Sequence, residues 1–427
     1  MLLCLRRRLA GAALVAWVGG GVGGCEAPGP RGRRGQSDEP RGQIVLAMGI
    51  PSDETIDTEL TEALRERLSS SLREFRVIHP QARVQLQLFP EERILAEVRL
   101  RAKAGTGPDL LFINNTTAAD LRRAGLSRAV RIPDTLLQKL DPSEVRRFQT
   151  SSGELTSLPV LVLPQLACFD RRRLRQSPAD LASLMRLSSQ GVRVGLPLDG
   201  FNLAWTFGSL GVAQPVEELF AGQPATPQRR AALGRWLAWL KEADQVPALT
   251  FQVSQSQLIK ELGQGQLDWT SCRSTHLARL REELGTHLGV APLPGGPGGP
   301  PTPLSRQRVL AFGRDSSPSQ AEVAEAFARF VLTPLTQRAL VSRREEVLPM
   351  LGSLRLPEGR KGTLRLLAMA QAHMRRGKGN GQAMFEQGDL DGAAIGRLLS
   401  RYLYGDLDAE ATMDGLVETI QAKRRGP

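Results

Sequence analysis

Residues 107–117 have the sequence Gly-Pro-Asp-Leu-Leu-Phe-Ile-Asn-Asn-Thr-Thr, an apolar run that ends in short polar residues. The apolar run predicts a buried strand over residues 109–113. Two upstream segments predict strands as well, because residues 44–48 are all apolar and residues 83–89 alternate between polar and apolar side chains. A sheet is therefore expected at the centre of this part of the chain.

The segments between these strands have the spacing of amphipathic helices. Apolar side chains recur every three or four residues over 58–77, and a second helix is predicted over 91–104. The order strand, helix, strand, helix, strand predicts a parallel sheet with right-handed crossovers. The predicted fold class is α/β.

The ends of the predicted strands carry the first set of candidate binding residues. Open α/β sheets bind ligands at the carboxyl ends of their strands. Short polar side chains follow two of these strands and suit hydrogen bonds to a hydroxylated ligand; the candidates are Ser52, Asp53, Asn114, Asn115 and Thr116. Asp and Asn are also favoured in turns for local reasons, so a purely structural role is the alternative.

The remaining body of the chain mixes strands and helices. A strand is predicted over 191–198, and Trp239 lies off the apolar stripe of a later helix, so partial exposure is expected for its ring. Residues 295–303 are predicted to form a Gly/Pro linker. Ser317 followed by Pro318 predicts the start of another helix.

The loop after residue 198 supplies a second set of candidate binding residues. They are Asp199, Phe201, Asn202 and Trp205. Trp205 is the aromatic side chain best placed to stack on a ligand, and burial in the core is the alternative for it.

The N-terminus has the layout of a secretory signal. Three arginines at 6–8 precede a short uncharged stretch, and small residues at 22–24 precede Cys25. This end resembles a bacterial lipobox, in which the cysteine is acylated and becomes the new N-terminus; an ordinary signal with an incidental cysteine is the alternative. We predict a signal peptide over 1–25, lipidation at Cys25 and a flexible, Pro/Gly-rich tether over 26–42.

Length, charge and cysteine content set further bounds. A chain of 427 residues is too long for one compact core and fits two lobes. The formal net charge is +12, but the basic residues form short scattered clusters without interleaved aromatics, so we expect solvated surface charge and no nucleic-acid partner. Cys168 and Cys272 are the two cysteines of the body, and both a disulfide and two buried thiols are compatible with the sequence.

The sequence contains none of the enzyme motifs that we sought. It lacks a Gly-x-Ser-x-Gly elbow, a Walker A loop and a His-Glu-x-x-His pair. Cys272 and His276 are four residues apart, but two ligands do not make a zinc site. We therefore expect no catalytic residue, metal or cofactor, although the sequence leaves open a secreted hydrolase with two opposed carboxylates.

Four segments, taken in order, resemble the family 1 extracellular solute-binding proteins, typified by maltose-binding protein. The match spans nearly the whole mature chain. The segments are Gly107 to Phe112, Gly153-Glu154-Leu155 with Leu158-Pro159, Gly265 to Ser271 with Leu288 to Pro294, and the helix that begins at Pro318.

The resemblance implies the periplasmic-binding-protein fold, with two lobes joined by a hinge. Each lobe is expected to be a mostly parallel sheet flanked by helices. Lobe one would comprise residues 43–162 and 305–350, and lobe two residues 163–302 and 351–427.

Arg273 lies in the segment that corresponds to the second-lobe ligand loop of the family. That loop often reads Asn-Gly-Pro-Trp, whereas this chain has Ser-Cys-Arg-Ser-Thr over 271–275 and lacks the tryptophan. If Arg273 faces the cleft, it can pair with a carboxylate or a phosphate; exposure at the surface is the alternative.

The resemblance further implies an extracytoplasmic receptor of an ABC importer that captures a small polar ligand, expected to be a sugar or sugar derivative. Its partners would be the permease transmembrane subunits and, through the lipid anchor, a membrane. We expect a monomer in the periplasm. The alternative is an envelope lipoprotein of the same fold that binds another protein. The missing tryptophan and the low aromatic content of 5% motivate it, and a cleft lined by apolar or bulky arginine side chains would favour it.

Overall fold

The computed structural model describes residues 39–50, 58–140, 142–304, 306–343, 346–351, 354, 367 and 392–422. The predicted signal peptide with Cys25, most of the predicted tether, and the candidates Ser52 and Asp53 lie outside these ranges. Within them, no helix combines the length and the apolar character that crossing a bilayer requires.

Two sheets organise the described chain. The first sheet has the strand order β12-β5-β11-β3-β1-β2, with β4 beside β11, and the second has the order β10-β6-β9-β7-β8. The strands are β1 Gly42–Ile50, β2 Ala82–Pro90, β3 Leu110–Asn114, β4 Ser127–Arg128, β5 Leu158–Leu163, β6 Gln165–Asp170, β7 Val194–Pro197, β8 Leu249–Gln252, β9 Trp269–Arg273, β10 Leu288–Ala291, β11 Arg306–Gly313 and β12 Leu348–Pro349.

Helices cover these sheets. Several begin at residues that typically cap helices. The side chain of Ser317 accepts a hydrogen bond from the backbone nitrogen of Gln320, and the side chain of Gln320 accepts one from the backbone nitrogen of Ser317. Pro318 is the first residue of this helix, as predicted. The described helices are α1 Thr58–Ile78, α2 Ile94–Lys103, α3 Asn115–Arg123, α4 Asp134–Leu137, α5 Pro142–Arg146, α6 Leu181–Ser189, α7 Gly200–Leu203, α8 Trp205–Ser209, α9 Ala213–Phe220, α10 Pro227–Asp244, α11 Gln255–Gly263, α12 Leu277–Leu284, α13 Pro318–Val331, α14 Pro334–Arg343, α15 Gly392–Leu403 and α16 Ala409–Ala422.

The predicted parallel unit is present in the first sheet. Strand β1 pairs in parallel with β2 on one side and β3 on the other, and α1 and α2 are the crossovers. The apolar character of residues 44–48 in β1 and 110–113 in β3 follows from this central position, because strands covered on both faces have no polar side.

Both sheets also contain antiparallel strands, which lie where the chain crosses from one sheet to the other. Strand β11 is antiparallel to β3 and β5, and in the second sheet β6 is antiparallel to β9 and β10. Each sheet is therefore mixed rather than mostly parallel. The reason is topological, since strands that enter from the other sheet have no helical crossover to reverse their direction.

The predicted lobe boundaries, 43–162 with 305–350 and 163–302 with 351–427, stay a prediction. The strands of the first sheet fall in the first pair of segments, except that β1 begins one residue earlier, at Gly42, and β5 ends one residue later, at Leu163. Of the C-terminal helices, α15 packs against α7 and α10, and α16 packs against α9 and α10.

The segment 295–303 is packed, and the prediction of a linker there is wrong. Its backbone lies so close to the second-lobe helices that a Cβ on Gly298 would stand 1.9 Å from the backbone nitrogen of Gly211. Gly211 itself has a φ of 68°, a conformation that glycine adopts without strain. Glycines here permit close backbone approach rather than flexibility.

Two further expectations are decided by packing in the second lobe. The ring of Trp239 is buried in the core, not partly exposed as predicted. Cys168 on β6 and Cys272 on β9 are both fully buried and form a disulfide, which settles the alternative that the sequence left open.

Candidate functional site

A cleft of about 310 Å³ lies between the two sheets. The carboxyl ends of β1, β2 and β3 line one wall, and the start of α11 and the end of β9 line the other. Strands β5 and β11 form the floor. This is the position where open α/β sheets bind ligands, and it brings polar groups of both lobes to one space.

The guanidinium of Arg308 ties the first-lobe strand ends together. Its Nη1 donates to Oε2 of Glu91 at 2.8 Å and to Oδ1 of Asn114 at 3.1 Å. Its Nη2 donates to the carbonyl oxygens of Gly49 at 2.6 Å and Phe112 at 2.8 Å. Because Arg308 and Glu91 are both at least nine-tenths buried, this pair is desolvated and hydrogen-bonded on several sides.

Glu91 completes this network from the end of β2. Its Oε1 accepts hydrogen bonds from the backbone nitrogen of Asn114 at 2.8 Å and from the hydroxyl of Thr117 at 2.7 Å. A Cβ at position 49 would stand 2.0 Å from Oε2 of Glu91, so a larger residue there would displace this carboxylate from its hydrogen bonds. We call the side chains of Arg308, Glu91 and Asn114 the first-lobe brace.

The structure separates the three described first-lobe candidates. Asn114 and Thr116 line the cleft together with the neighbouring Thr117, and their role in ligand binding stays a prediction. Asn115 does not line it: the side chain is buried on the opposite side, where Oδ1 accepts a hydrogen bond from the backbone nitrogen of Gln307 at 3.2 Å. Successive residues at the start of α3 point in different directions, which explains why Asn115 does not line the cleft although Asn114 and Thr116 do.

Arg273 lines the cleft from the end of β9, and none of the other second-lobe candidates belongs to the lining. Its Nη2 donates to Oδ1 of Asn202 at 2.6 Å. Asp199 caps α7, accepting from the backbone nitrogen of Asn202 at 2.7 Å and from its amide at 2.6 Å. Asp199 and Asn202 are absent from the cleft lining, and the contacts that we observe position Arg273.

Phe201 supports two arginines. The guanidinium carbon of Arg273 is 5.7 Å from the centre of its ring, and that of Arg306 is 5.3 Å away. Both distances are within the range of cation–π attraction. Arg306 belongs to β11 in the first sheet, so this cluster joins the two lobes.

The stacking role expected for Trp205 is excluded by its burial. The side chain is fully buried in the second-lobe core, with its ring centre 6.4 Å from that of Trp269. Core burial was the alternative for Trp205, and it is correct, because the ring packs among apolar residues around α8.

His276 is a neutral hydrogen-bonding group in the cleft lining. Burial lowers its pKa to about 3, and the positive charges of Arg273, Arg306 and Arg279 contribute to this shift. Its Nδ1 accepts from the backbone nitrogen of Arg273 at 3.2 Å, so the hydrogen of the neutral ring is on Nε2.

Several residues that line the cleft were not among the candidates predicted from the sequence. They are Gly49, Glu91, Glu92, Phe112, Thr117, Gln255, Ser256, Thr275, His276, Arg306 and Arg308. The strand-end rule could have found Glu91, because it follows the second predicted strand. Residues 306 and 308 are two apart on one strand and therefore share a face, which a strand prediction at the hinge would have shown.

Among the described residues, no group of three or more His, Cys, Asp or Glu side chains could hold a metal ion. The cleft is thus built from hydrogen-bond donors and acceptors and from arginines. Together with the two sheets, it defines a two-lobed α/β binding protein whose site lies between the lobes.

The chain belongs to the family of bacterial extracellular solute-binding proteins, whose model matches residues 74–358. It is a solute-binding receptor of the type that serves ABC importers. A comparison with curated protein sequences found no match.

Solved structures of the same fold confirm the two-lobed architecture. The chain is 14% identical to the GacH receptor of Streptomyces glaucescens over 90% of this chain and 99% of that one, with a TM-score of 0.68. It is 16% identical to the maltose/maltodextrin-binding domain MalE of Bdellovibrio bacteriovorus bound to maltotriose, over 90% and 100%, with a TM-score of 0.66. A cyclo/maltodextrin-binding protein complexed with maltotetraose is 16% identical over 92% and 99%, with a TM-score of 0.71.

Proposed function

We propose that this receptor captures a carbohydrate in the cleft and delivers it to an ABC permease. The observation that carries the proposal is the convergence of short polar side chains from both lobes on one space. Thr116 and Thr117 face Ser256 and Thr275 across the cleft lining, and hydroxyl and amide groups at this density suit a polyhydroxylated ligand. Neighbours of the same fold are described as binding maltotriose, maltotetraose and acarbose.

Capture works by closure, because the ligand contacts both lobes only when the lobes approach. A ligand that binds the closed form more tightly shifts the population of the receptor towards that form. The closed form is then the state that the permease transmembrane subunits recognise. We further propose that the receptor acts as a monomer, held at a membrane in the periplasm by a lipid on Cys25.

The experiment is a thermal-shift screen of the purified protein against sugars, polyols, glycosides and amino acids. Ligand binding to the native state raises the melting temperature, and the rise grows with ligand concentration. We expect a rise with one class of sugar, reduced in the double variant Ser256→Ala, Thr275→Val. The matched control is Thr250→Val on β8, outside the cleft lining, which should keep the full shift.

A second function is favoured by one observation: Arg273, Arg306 and Arg308 all line the cleft. Bulky arginines are the feature that we expected of an envelope lipoprotein that binds another protein. Absence of any shift in a well-folded sample would contradict carbohydrate capture and favour this second function.

The lipid anchor has its own test. Mass spectrometry of the protein isolated from a bacterial host should find an acylated N-terminal residue 25. The Cys25→Ser variant should be released from the membrane fraction, and retention of that variant would contradict the anchor.

A further inference from the structure

The end of α1 carries two adjacent apolar side chains that the fold leaves at the surface. Val77 and Ile78 are 82% and 57% exposed, although Phe75, two residues earlier, is fully buried in the first-lobe core. Single exposed apolar residues are common on soluble proteins, whereas adjoining apolar groups within a polar rim are typical of interaction sites, membrane contacts included.

The rim of this apolar pair consists of arginines. Arg73, Arg76 and Arg83 are exposed, and all three line one pocket of about 140 Å³ between the end of α1 and the start of β2. The remaining lining is apolar and comprises Leu72, Phe75, Ala82 and Val84. Within the described chain, no ion pair joins these arginines to a carboxylate, and Glu74 is the one acidic residue between positions 73 and 83. The pocket therefore combines an apolar interior with a positively charged rim.

This pocket lies where the chain enters the first sheet. Gly42, the first residue of β1, pairs with Ala82 of the pocket lining, and its backbone nitrogen donates to the carbonyl oxygen of Gln81 at 3.0 Å. Arg41 precedes it and is exposed, which adds a further positive charge. The predicted tether, residues 26–42, therefore joins the folded lobe next to the pocket.

A lipid on Cys25 would keep this end of the first lobe near a bilayer, because residues 26–41 span at most about 55 Å. Anionic headgroups attract basic side chains that come close to the membrane surface. Exposed aliphatic side chains enter the boundary between headgroups and acyl chains. The end of α1 and the start of β2 offer both kinds of contact.

Contact with a membrane at this place would leave the ligand cleft free. Strands β1 and β2 run in parallel from the pocket to the cleft, with Gly42 and Ala82 as their first pair, and Ile50 at the other end of β1 lines the cleft. Eight residues of extended strand separate the two ends by about 26 Å.

We propose that the end of α1 and the start of β2 form a membrane-contact surface that binds the anionic headgroups of a bilayer. Arg73, Arg76 and Arg83 bind the lipid phosphates, and Val77 with Ile78 enters the headgroup layer. The inference goes beyond the proposed lipid anchor, because it gives the folded lobe an affinity of its own for the membrane.

The test places a tryptophan in this surface and a quencher in the lipid. The purified variant Val77→Trp is mixed with vesicles of phosphatidylcholine and about 40% phosphatidylglycerol, with and without bromine on the acyl chains. The four tryptophans of the described chain lie in the second-lobe core, so bromine should not quench them. We expect bromine to quench at least about half of the added fluorescence, because an interfacial side chain reaches the acyl boundary. The matched control is Tyr404→Trp after α15, where the side chain is 81% exposed, and it should not be quenched.

Glutamine variants assign the attraction to the arginines. Arg76→Gln and Arg83→Gln should each weaken binding to the anionic vesicles about fivefold, measured by titration with lipid. Arg235→Gln removes an exposed arginine from α10 and should change nothing. Binding should also weaken as NaCl rises from about 50 to 500 mM, because salt screens the attraction.

The possible results separate the membrane-contact surface from the lipid anchor. Quenching at position 77 in a protein whose residue 25 carries no lipid supports the surface although the anchor fails. An acylated protein that stays on the vesicles without quenching at position 77 overturns the surface and leaves the anchor standing. Equal quenching of Val77→Trp and Tyr404→Trp, or equal affinity for vesicles with and without phosphatidylglycerol, also overturns the surface.

Sedimentation velocity tests the other possible occupant of this surface, a second copy of the chain. The double variant Val77→Ser, Ile78→Ser should sediment as the unsubstituted protein does and bind the anionic vesicles more weakly. A dimer of the unsubstituted protein that dissociates in the double variant would assign the apolar pair to contact between copies and overturn the membrane-contact surface.

Discussion

The two walls of the cleft use arginine in opposite ways. In the first lobe, Arg308 is buried and donates to four acceptors, of which Glu91 is charged and two are backbone carbonyls. In the second lobe, Arg273 rests on the ring of Phe201 and donates to the amide oxygen of Asn202. The guanidinium of Arg308 joins three strand ends. The guanidinium of Arg273 lines the cleft and contacts Phe201 and Asn202.

We expect this difference to separate the residues that stabilise the fold from those that bind the ligand. A buried charge pair contributes little net free energy compared with apolar packing, but loss of one partner leaves the other buried without compensation. A guanidinium that rests on a ring at the cleft can be removed at small cost to the fold. Variants on each wall therefore test whether the two walls divide these roles.

The largest effect is expected for Arg308→Ala. It leaves the carboxylate of Glu91 buried without its cation and removes hydrogen bonds from three strand ends. We expect the free energy of unfolding to fall by about 4 kcal/mol. Urea unfolding followed by circular dichroism measures it.

The matched control for that variant is Arg128→Ala. Arg128 also belongs to the first sheet, pairs with a carboxylate, Glu325, at 3.1 Å, and lies over a ring, Phe312, at 5.7 Å. Both members of this pair are partly exposed, so its loss should cost less than about 1 kcal/mol. Equal losses in the two variants would contradict the structural role assigned to the first-lobe brace.

Removal of the disulfide should destabilise the second lobe. Cys168 and Cys272 are 104 residues apart in sequence, so the bond restricts a long loop of the unfolded chain. For Cys168→Ala with Cys272→Ala we expect a loss of about 3 kcal/mol. Tryptophan fluorescence is the measurement, because the four tryptophans of the described chain, Trp205, Trp236, Trp239 and Trp269, all belong to the second-lobe core. A variant with the wild-type unfolding midpoint would contradict the prediction.

The sequence predicted the first lobe better than the second for a physical reason. Strands β1 and β2 are each followed by an amphipathic helix that leads to the next strand, so the topology of β1 to β3 follows from short-range periodicity. The second lobe contains several short helices and a Gly/Pro segment over 295–303 whose backbone packs against Gly211. That packing depends on tertiary contacts that no local pattern reveals.

The site was predictable only where it follows from strand ends. Asn114 and Thr116 line the cleft because they follow β3, and Arg273 lines it because it ends β9. Arg308 was missed because its function depends on four acceptors brought together from β1, β2 and β3. Trp205 shows the converse, since an aromatic residue near a strand end can serve the core.

A smaller effect, dependent on pH, is expected from His276. Its pKa is about 3 in the folded protein, below the ordinary value of 6.5, so the unfolded chain takes up a proton that the folded chain does not. The contribution of the neutral ring to the free energy of unfolding is therefore fully present above pH 6.5 and is lost as the pH falls towards 3. Below pH 6, the free energy of unfolding should fall with pH at a slope that approaches about 1.4 kcal/mol per pH unit.

The variant His276→Gln should remove most of that slope. Urea unfolding between about pH 6.5 and 4.5 is the measurement, because the acids with lowered pKa act below this window. For Asp268, burial opposes the shift, but hydrogen bonds from Arg193 bring its pKa below the ordinary 3.8. A glutamine variant with the wild-type slope would show that another group titrates there.

The smallest effect compares the two rings on which cleft arginines rest. Phe201→Leu removes the ring beside Arg273 and Arg306, and we expect the carbohydrate that gives the largest thermal shift to lose about fivefold in affinity. Phe112→Leu removes the ring 4.8 Å from Arg308, but its four hydrogen bonds keep that guanidinium in place, so affinity should stay within about twofold. Titration calorimetry on both variants measures the difference. If Phe112→Leu weakens binding as much as Phe201→Leu, the ring of the first lobe contacts the ligand, and the walls do not divide their roles as the hydrogen bonds imply.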